Sequence, residues 1–313
     1  MRQLINADIH HIWLPQGETK AVVICVHGLG LHGGCYHHLG TTLSANGFAV
    51  LAIDIRGLGC WRSWGDHSLD ISGCLADLQA ALTELRNLYP YLPLFLAGES
   101  LGGAIALKCA SQNAHLVDGL IMSSPAIDSS RHFFNHWELW LKHYLAPNRR
   151  VSLIKALIER AEADEELRQL WLDDHLACKE VYVRDLIAMR NLLNDNDLSA
   201  RMLRKTPVLV LQGYGDRLFV PRDTLSLFER LTTSEKELVY IGNAEHLMLQ
   251  SRRQDHRGLS VLMGWMEIVV TKLRKRDLSA LPAPFCELRL VNHFASPDGS
   301  RGEPHGEQQQ RAA

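Results

Sequence analysis

The chain has 313 residues, 46% hydrophobic and 22% charged, which is typical of a soluble globular protein with one large core and room for an insertion. Its 33 Lys and Arg against 35 Asp and Glu give a formal charge of −2, which argues against a nucleic-acid binder. Seven Cys without a Cys-x-x-Cys pair, and an N-terminal segment without a long apolar run, favour free thiols in the cytoplasm.

The first part of the chain alternates apolar runs with amphipathic runs. The apolar runs predict strands over 21–26, 48–55, 94–97 and 119–123. Apolar residues at helical spacing predict helices over 36–46, over 72–89 and from 103 to about 111.

The same alternation resumes nearer the C-terminus. Strands are predicted over 207–212 and 237–241, with helices over 222–231 and from about 259 to 273. Apolar strands that alternate with amphipathic helices predict an α/β fold, in which a mostly parallel central sheet carries helices on both faces.

The segment 126–205 interrupts this alternation and is predicted to be helical throughout, forming a cap over the carboxyl edge of the sheet. Its aromatic stripe is either the core of the cap, or the lining of an acyl pocket or a membrane-facing surface; the pocket candidates are Phe133, Trp137, Trp140 and Leu141. We therefore expect the following division: a core of 1–125 and 206–275, a helical cap of 126–205, a C-terminal extension of 276–295 and a disordered tail of 296–313.

A serine lies at a predicted turn between strand and helix, in the segment Gly98-Glu99-Ser100-Leu101-Gly102. Glycines two positions before and after relieve crowding around a strained turn, which pushes the serine hydroxyl outward. The following helix N-terminus favours the negative charge that develops in acyl transfer. The pattern predicts a nucleophile at Ser100; the alternative is an ordinary turn serine.

A serine hydroxyl needs a neighbouring base, and the base needs an orienting carboxylate. Asp216 follows the 207–212 strand, and His246 follows the 237–241 strand. Since the carboxyl ends of parallel strands meet at one edge, the sequence predicts His246 as the base and Asp216 as the acid. Asp223 is a rival acid, but it lies at a helix start and is better explained as an N-terminal charge.

A glycine-rich loop, His27-Gly28-Leu29-Gly30, follows the first strand. Such a loop can aim a backbone N–H at a developing oxyanion, so the N–H groups of Leu29 and Leu101 are the predicted oxyanion hole. His27 is predicted to be structural. No metal or cofactor site is predicted, because the paired histidines have no matching ligand pattern and the chain has no phosphate-binding glycine motif.

These segments resemble the α/β-hydrolases of the monoacylglycerol lipase and lysophospholipase-like group, with a serine aminopeptidase S33-type fold, across about 21–275. The likeness rests on 27–36, 89–96, 98–106 and 211–217. The resemblance implies the same three roles for Ser100, Asp216 and His246. It also implies cofactor-free hydrolysis of carboxylic esters, often glycerides or lysophospholipids, and a mobile helical cap whose apolar surface can rest on a membrane.

The chain departs from this group in three places. Cys60-Trp61-Arg62 interrupts the turn after the second predicted strand, the loop before His246 is one residue longer, and the cap is only loosely similar. These differences bear on the substrate. The predicted function is a serine esterase or lipase acting on a small acyl ester, with a thioesterase, acyltransferase or peroxidase-like enzyme as alternatives on the same fold, and a non-catalytic binding protein as a third reading.

Overall fold

The chain folds into strands and helices over most of its length, and the computed structural model describes residues 10–65, 67–127, 145–152, 154–250 and 256–277. Its strands are β1 His10–Trp13, β2 Ala21–Val26, β3 Phe48–Ile53, β4 Leu94–Glu99, β5 Gly119–Ser123, β6 Arg150–Val151, β7 Val181–Tyr182, β8 Val208–Gly213 and β9 Lys236–Ile241. Its helices are α1 His37–Ala45, α2 Ile71–Leu88, α3 Leu101–Gln112, α4 Ile154–Ala161, α5 Glu165–Leu172, α6 Val183–Asn194, α7 Asn196–Met202, α8 Pro221–Arg230 and α9 His256–Asp277, with 3-10 helices at Gly33–Tyr36 and Gly59–Trp64.

Seven strands form one sheet in the order β1-β3-β2-β4-β5-β8-β9. β1 is antiparallel to β3, and every other neighbouring pair in this sheet is parallel. The predicted α/β class with a mostly parallel sheet is therefore confirmed. The strands β2 and β5 have the bounds that the sequence predicts, whereas the edge strand β1 was not predicted.

Both faces of the central strands are covered by helices. All six residues of β2 are buried, and alternate residues enter two separate cores: Val22, Ile24 and Val26 on one face, and Ala21, Val23 and Cys25 on the other. The first core includes apolar residues of α2 and α3, and the second includes those of α1 and α9. Because both faces are occupied, the loops at the carboxyl edge are the natural place for a site.

The segment 126–205 is mostly helical where it is described, but the prediction that it is helical throughout is wrong. β6 pairs with β7 in a short antiparallel ladder. Two-residue strands carry no periodic pattern, so the sequence gives no signal for them. The division of the chain into core, cap and tail stays a prediction, and Phe133, Trp137, Trp140 and Leu141 lie outside the described residues. None of the described helices is long and apolar enough to span a membrane.

The first turn of α3 lies against the end of β2. A Cβ atom built on Gly102 would lie 1.9 Å from the carbonyl oxygen of Val26 and 2.6 Å from that of His27. Both obstacles are buried backbone atoms at the carboxyl end of β2, which is an interior strand of the sheet. Neither atom can move aside without displacing β2. The close packing of helix on strand at this point therefore requires glycine.

We expect Gly102→Ala to lower the free energy of unfolding by about 3 kcal/mol or more, because the added methyl group would force β2 and α3 apart. The matched control is Gly264→Ala in the exposed face of α9, where a Cβ meets nothing within 4 Å. There the same change should stabilise the protein by about 0.5–1 kcal/mol, because alanine is the better helix former. Urea unfolding of both variants measures the difference; equal effects would contradict the packing argument.

Candidate active site

Ser100 occupies a strained turn between β4 and α3, with φ 57° and ψ −122°. Its N–H donates to the carbonyl oxygen of Ser123 at 3.0 Å, and its own carbonyl accepts from the N–H of Ala126 at 2.9 Å. A Cβ on Gly98 would lie 2.2 Å from the carbonyl oxygen of Gly102. A left-handed φ at a serine is costly, and these bonds and close contacts hold it in place.

Asp216 and His246 form a buried pair. His246 Nδ1 lies 2.9 Å from Asp216 Oδ2, and their side chains are 2% and 0% exposed. Because a carboxylate only accepts, Nδ1 carries the proton of this bond and Nε2 is left as the acceptor of the neutral ring. That Nε2 atom is buried and makes no hydrogen bond with any described residue. The ring is thus oriented with a basic nitrogen available.

The environment of Asp216 favours the ionised carboxylate. Burial alone would raise the pKa of this carboxyl, but the neighbouring His246 and two backbone donors outweigh burial and hold the pKa below its ordinary value. The donors are the N–H groups of Leu218 and Phe219, which reach Asp216 Oδ1 at 2.8 and 2.9 Å. Asp216 therefore stays charged at neutral pH and can stabilise a positive charge on His246.

Gln212, the fifth residue of β8, is a buried supporting residue that the sequence did not single out. Its Nε2 donates to Asp216 Oδ2 at 3.0 Å, while its Oε1 accepts from Thr224 Oγ1 at 2.6 Å. The side chain thus connects the start of α8 to the carboxylate. Gln212 lies in the segment 211–217 that resembles the family, but that resemblance gives it no role. Its partner in α8 lies twelve residues further along the chain, and no local motif indicates this contact.

One cavity contains most of the predicted site. Ser100, His246, Gly28, Leu29 and Leu101 all line it. The remaining lining is mainly apolar and includes Ala126, Ile127, Leu157, Ile158, Trp171, Met189, Leu193, Leu218 and Phe219. The empty space is about 840 Å³ when the open solvent at its mouth is included.

The predicted oxyanion-hole residues lie next to the serine. A Cβ on Gly28 would be 3.4 Å from Ser100 Cβ, so the glycine loop passes directly beside the nucleophile candidate. Among the described residues, none accepts a hydrogen bond from the N–H of Leu29 or of Leu101. The N–H of Leu101 is one of the free donors that begin a helix. An oxyanion hole made of these two N–H groups stays a prediction.

The side chain of His27 forms two hydrogen bonds that hold the glycine-rich loop in place. Its Nδ1 donates to the carbonyl oxygen of Gly28 at 2.8 Å, and its Nε2 accepts from the N–H of Ile55 at 2.9 Å. Complete burial lowers its pKa to about 4, against the opposing charge of Asp54, so the ring is neutral at physiological pH. The geometry agrees with the structural role predicted for this residue.

Two further predictions concern the surroundings of the site. Asp223 lies in the first turn of α8, the helix-start position that its sequence context indicates. The unusual Cys60-Trp61-Arg62 segment forms part of a 3-10 helix, anchored where the Cys60 N–H donates to Asp54 Oδ2 at 2.8 Å.

Within the described ranges, no group of three His, Cys, Asp or Glu side chains is placed to hold a metal ion.

Proteins similar to this chain are named as lipases and phospholipases. Rat (Rattus norvegicus) monoglyceride lipase is 28% identical over 256 residues, which cover 78% of this chain and 82% of the lipase. Phospholipase YtpA of Bacillus subtilis is 24% identical over 219 residues, or 69% of this chain and 83% of that protein. A solved structure of a soluble variant of Saccharomyces cerevisiae monoglyceride lipase with a substrate analog superposes with a TM-score of 0.72 at 20% identity, covering 84% of this chain and 91% of that one.

The family model described as serine aminopeptidase, S33 matches residues 17–253, which is well over half of the chain. The seven-stranded, mostly parallel sheet with flanking helices found here matches the fold of solved lipase structures. The chain therefore belongs to the serine aminopeptidase S33 family of α/β-hydrolases, as an esterase/lipase-type hydrolase of the monoglyceride lipase group.

Proposed function

We propose that this protein is a serine esterase that cleaves monoacylglycerols or closely related lipid esters through an acyl-enzyme on Ser100. One observation carries the proposal: His246, which is hydrogen-bonded to the buried Asp216, lines an apolar cavity together with Ser100. A nucleophile candidate and an oriented base in one cavity, with a buried carboxylate bonded to the base, match the requirements of nucleophilic acyl transfer.

In the first half-reaction, Ser100 Oγ attacks the ester carbonyl carbon while His246 Nε2 removes the hydroxyl proton. The resulting imidazolium is stabilised by the charge of Asp216. The carbonyl oxygen gains the negative charge, and the N–H groups of Leu29 and Leu101 donate to it. When the tetrahedral intermediate collapses, the carbon–oxygen bond to the alcohol breaks, and the imidazolium returns its proton to that alcohol.

In the second half-reaction, water takes the place of the alcohol. His246 removes a proton from the water, whose oxygen attacks the acyl carbon, and the same two N–H groups stabilise the second oxyanion. The intermediate then expels Ser100 Oγ, which recovers its proton from His246. The products are a fatty acid and an unchanged enzyme, so the cycle needs no cofactor.

The cavity lining supports an acyl chain as the group bound. Residues from several elements present apolar side chains, including Leu157 and Ile158 of α4, Trp171 of α5, and Met189 and Leu193 of α6. Burying methylene groups against such a surface stabilises the complex by about 0.8 kcal/mol each. The names of the relatives, lipases for glycerides and a phospholipase, agree with a lipid ester.

We further propose that 126–205 acts as a cap whose outer apolar surface can contact a membrane. Its helices α4, α5 and α6 contribute lining residues to the cavity. The cap also reaches the loop that carries the base, because the N–H of Ala163 donates to the carboxylate of Glu245, the residue before His246. A movement of the segment between α4 and α5, which contains Ala163, would therefore displace the residue before His246.

A fluorophosphonate probe tests the proposal directly. The full-length protein should form a covalent adduct on Ser100, located by mass spectrometry, and neither Ser100→Ala nor His246→Ala should be labelled. Turnover is then compared across monoacylglycerols, lysophospholipids and acyl thioesters of matched chain length. Labelling of Ser100→Ala at the wild-type rate would contradict the role of Ser100 as the nucleophile. Faster turnover of the thioesters than of the oxygen esters would identify acyl thioesters as the substrate class.

Asp216→Asn should lower kcat for an aryl ester on the order of 10³–10⁴-fold, because an amide no longer fixes the Nδ1-protonated ring or stabilises its charge. The control is Asp223→Asn, which removes the rival carboxylate from the first turn of α8. Its kcat should stay within about twofold of wild type, with helix α8 weakened by less than about 1 kcal/mol. A large loss in Asp223→Asn with a small one in Asp216→Asn would reverse the assignment of the acid.

Leu157→Asp should depress turnover of long-chain esters more than that of short-chain esters, since it places a charge in the apolar lining of the cavity. We expect kcat/KM for a C16 monoacylglycerol to fall about tenfold or more relative to a C4 ester, which corresponds to about 1.4 kcal/mol. The control is Leu198→Asp in α7, where the native leucine is 57% exposed and lines no part of the cavity. Equal losses for both chain lengths would contradict an acyl-binding role for α4.

A further inference from the structure

Glu99, the residue immediately before Ser100, is a fully buried carboxylate with five donors. Its Oε1 accepts from Ser123 Oγ at 2.6 Å and from the N–H groups of Met248 and Leu249 at 2.8 and 2.9 Å. Its Oε2 accepts from both the N–H and the Nε2 of Gln250 at 3.0 and 3.1 Å. Five donors on two oxygens satisfy the acceptor capacity of a carboxylate.

These donors come from the loops that carry the site. Met248, Leu249 and Gln250 begin two residues after His246 in the chain. Ser123 ends β5, and its carbonyl oxygen accepts the N–H of Ser100 at 3.0 Å. The carboxylate of Glu99 therefore joins the turn of the nucleophile to the loop of the base, across about 150 residues of sequence.

Gln250 extends the connection to the oxyanion loop. Its Oε1 accepts from the N–H of Gly28 at 3.2 Å while its Nε2 donates to Glu99. Since a backbone N–H can only donate, the amide orientation of this fully buried side chain is fixed by its two partners. Gly28 precedes Leu29, so the chain of bonds runs from Glu99 to the loop that offers the oxyanion donor.

The ionised form of Glu99 is the one that its surroundings satisfy. Burial raises the pKa of this carboxyl above its ordinary value, and the hydrogen bonds from Ser123, Leu249 and Met248 and the nearby His246 offset only part of that effect. A proton on either oxygen would point at a group that already donates. A buried carboxylate without these bonds would destabilise the folded protein, so the five donors are what allow a negative charge to be buried here.

A second buried carboxylate shows that this placement is specific to the site. Asp54 accepts from the N–H of Gly33 at 2.5 Å and that of Cys60 at 2.8 Å, and so also joins two loops. Neither Gly33 nor Cys60 lines the cavity or adjoins a residue with a proposed chemical role. Glu99 differs because it adjoins Ser100 in the chain and accepts hydrogen bonds from Met248, Leu249 and Gln250 in the loop that follows His246.

We propose that Glu99 and Gln250 are a buried pair of positioning residues that set the oxyanion loop and the loop of His246 relative to Ser100. The role rests on the proposed esterase function, since the distances it maintains matter only for a reaction at Ser100. Displacement of a catalytic group by about 1 Å can cost on the order of 100-fold in rate. The pair touches no substrate, so it acts through the backbone that it holds.

The test is steady-state kinetics of full-length Glu99→Gln and Gln250→Met, normalised to active sites counted with the fluorophosphonate probe. Glu99→Gln keeps the shape of the side chain but turns a donor toward donors, and Gln250→Met removes the acceptor for the Gly28 N–H. We expect kcat to fall about 10–100-fold with KM changed less than about threefold. A reversible trifluoromethyl ketone, which forms a tetrahedral adduct on Ser100, should lose affinity by the same factor as kcat/KM. A non-hydrolysable ether analogue should bind as before.

The matched control is Asp77→Asn, which also neutralises a buried carboxylate, but this one lies on α2, pairs with Arg56 and does not line the cavity. Its turnover per active site should stay within about twofold of wild type. Equal losses per active site in Glu99→Gln and Asp77→Asn, or unchanged ketone affinity in both test variants, would overturn the positioning role. If Glu99→Gln does not fold, Gln250→Met decides alone. The proposed function fails separately, when wild-type protein neither labels at Ser100 nor turns over any ester.

Discussion

The geometry of the site depends on the contact between the first turn of α3 and the end of β2. Gly102 lies so close to the carbonyl oxygens of Val26 and His27 that no side chain fits between them. The helix therefore starts directly beside the loop that follows β2, and Ser100 must turn sharply, with φ 57°, to connect β4 to it. One close approach of backbone to backbone thus fixes both the strained serine and its distance from the glycine loop.

Buried carboxylates hold the loops around this contact. Asp54, Glu99 and Asp216 lie at or just after the ends of β3, β4 and β8, and each accepts backbone N–H groups from neighbouring loops. The loops at the carboxyl edge have no ladder partners for these donors, and a carboxylate can accept several at once. Burying each charge is costly, but the charge-assisted bonds offset that cost and make the loop positions well defined.

Most of the sheet could be predicted from the sequence, because a strand buried on both faces is a continuous apolar run between turn residues. The edge strand β1 was missed, since His10-His11-Ile12-Trp13 has no such run. Ser100, Asp216 and His246 were identified by their positions after strands, which the parallel topology brings to one edge. Glu99 and Gln250 could not be, because their bond joins positions about 150 residues apart and residue 99 is a variable position of the Gly-x-Ser-x-Gly pattern.

The placement of negative charge also bears on the proposed reaction. A positive charge on His246 interacts favourably with both Asp216, which is bonded to the ring, and Glu99, which is not. Both carboxylates are already buried, hydrogen-bonded and oriented before any substrate binds. Their desolvation is therefore a cost to the stability of the folded protein and adds nothing to the barrier of the reaction. Asp216 orients the ring through its direct bond, whereas Glu99 acts on the same ring through the loop that follows it. A neutral residue at position 99 would remove both the negative charge near His246 and the hydrogen bonds to the loop that follows it. A variant at Gln250, which leaves the charge of Glu99 in place, is needed to separate the electrostatic effect from the positional one.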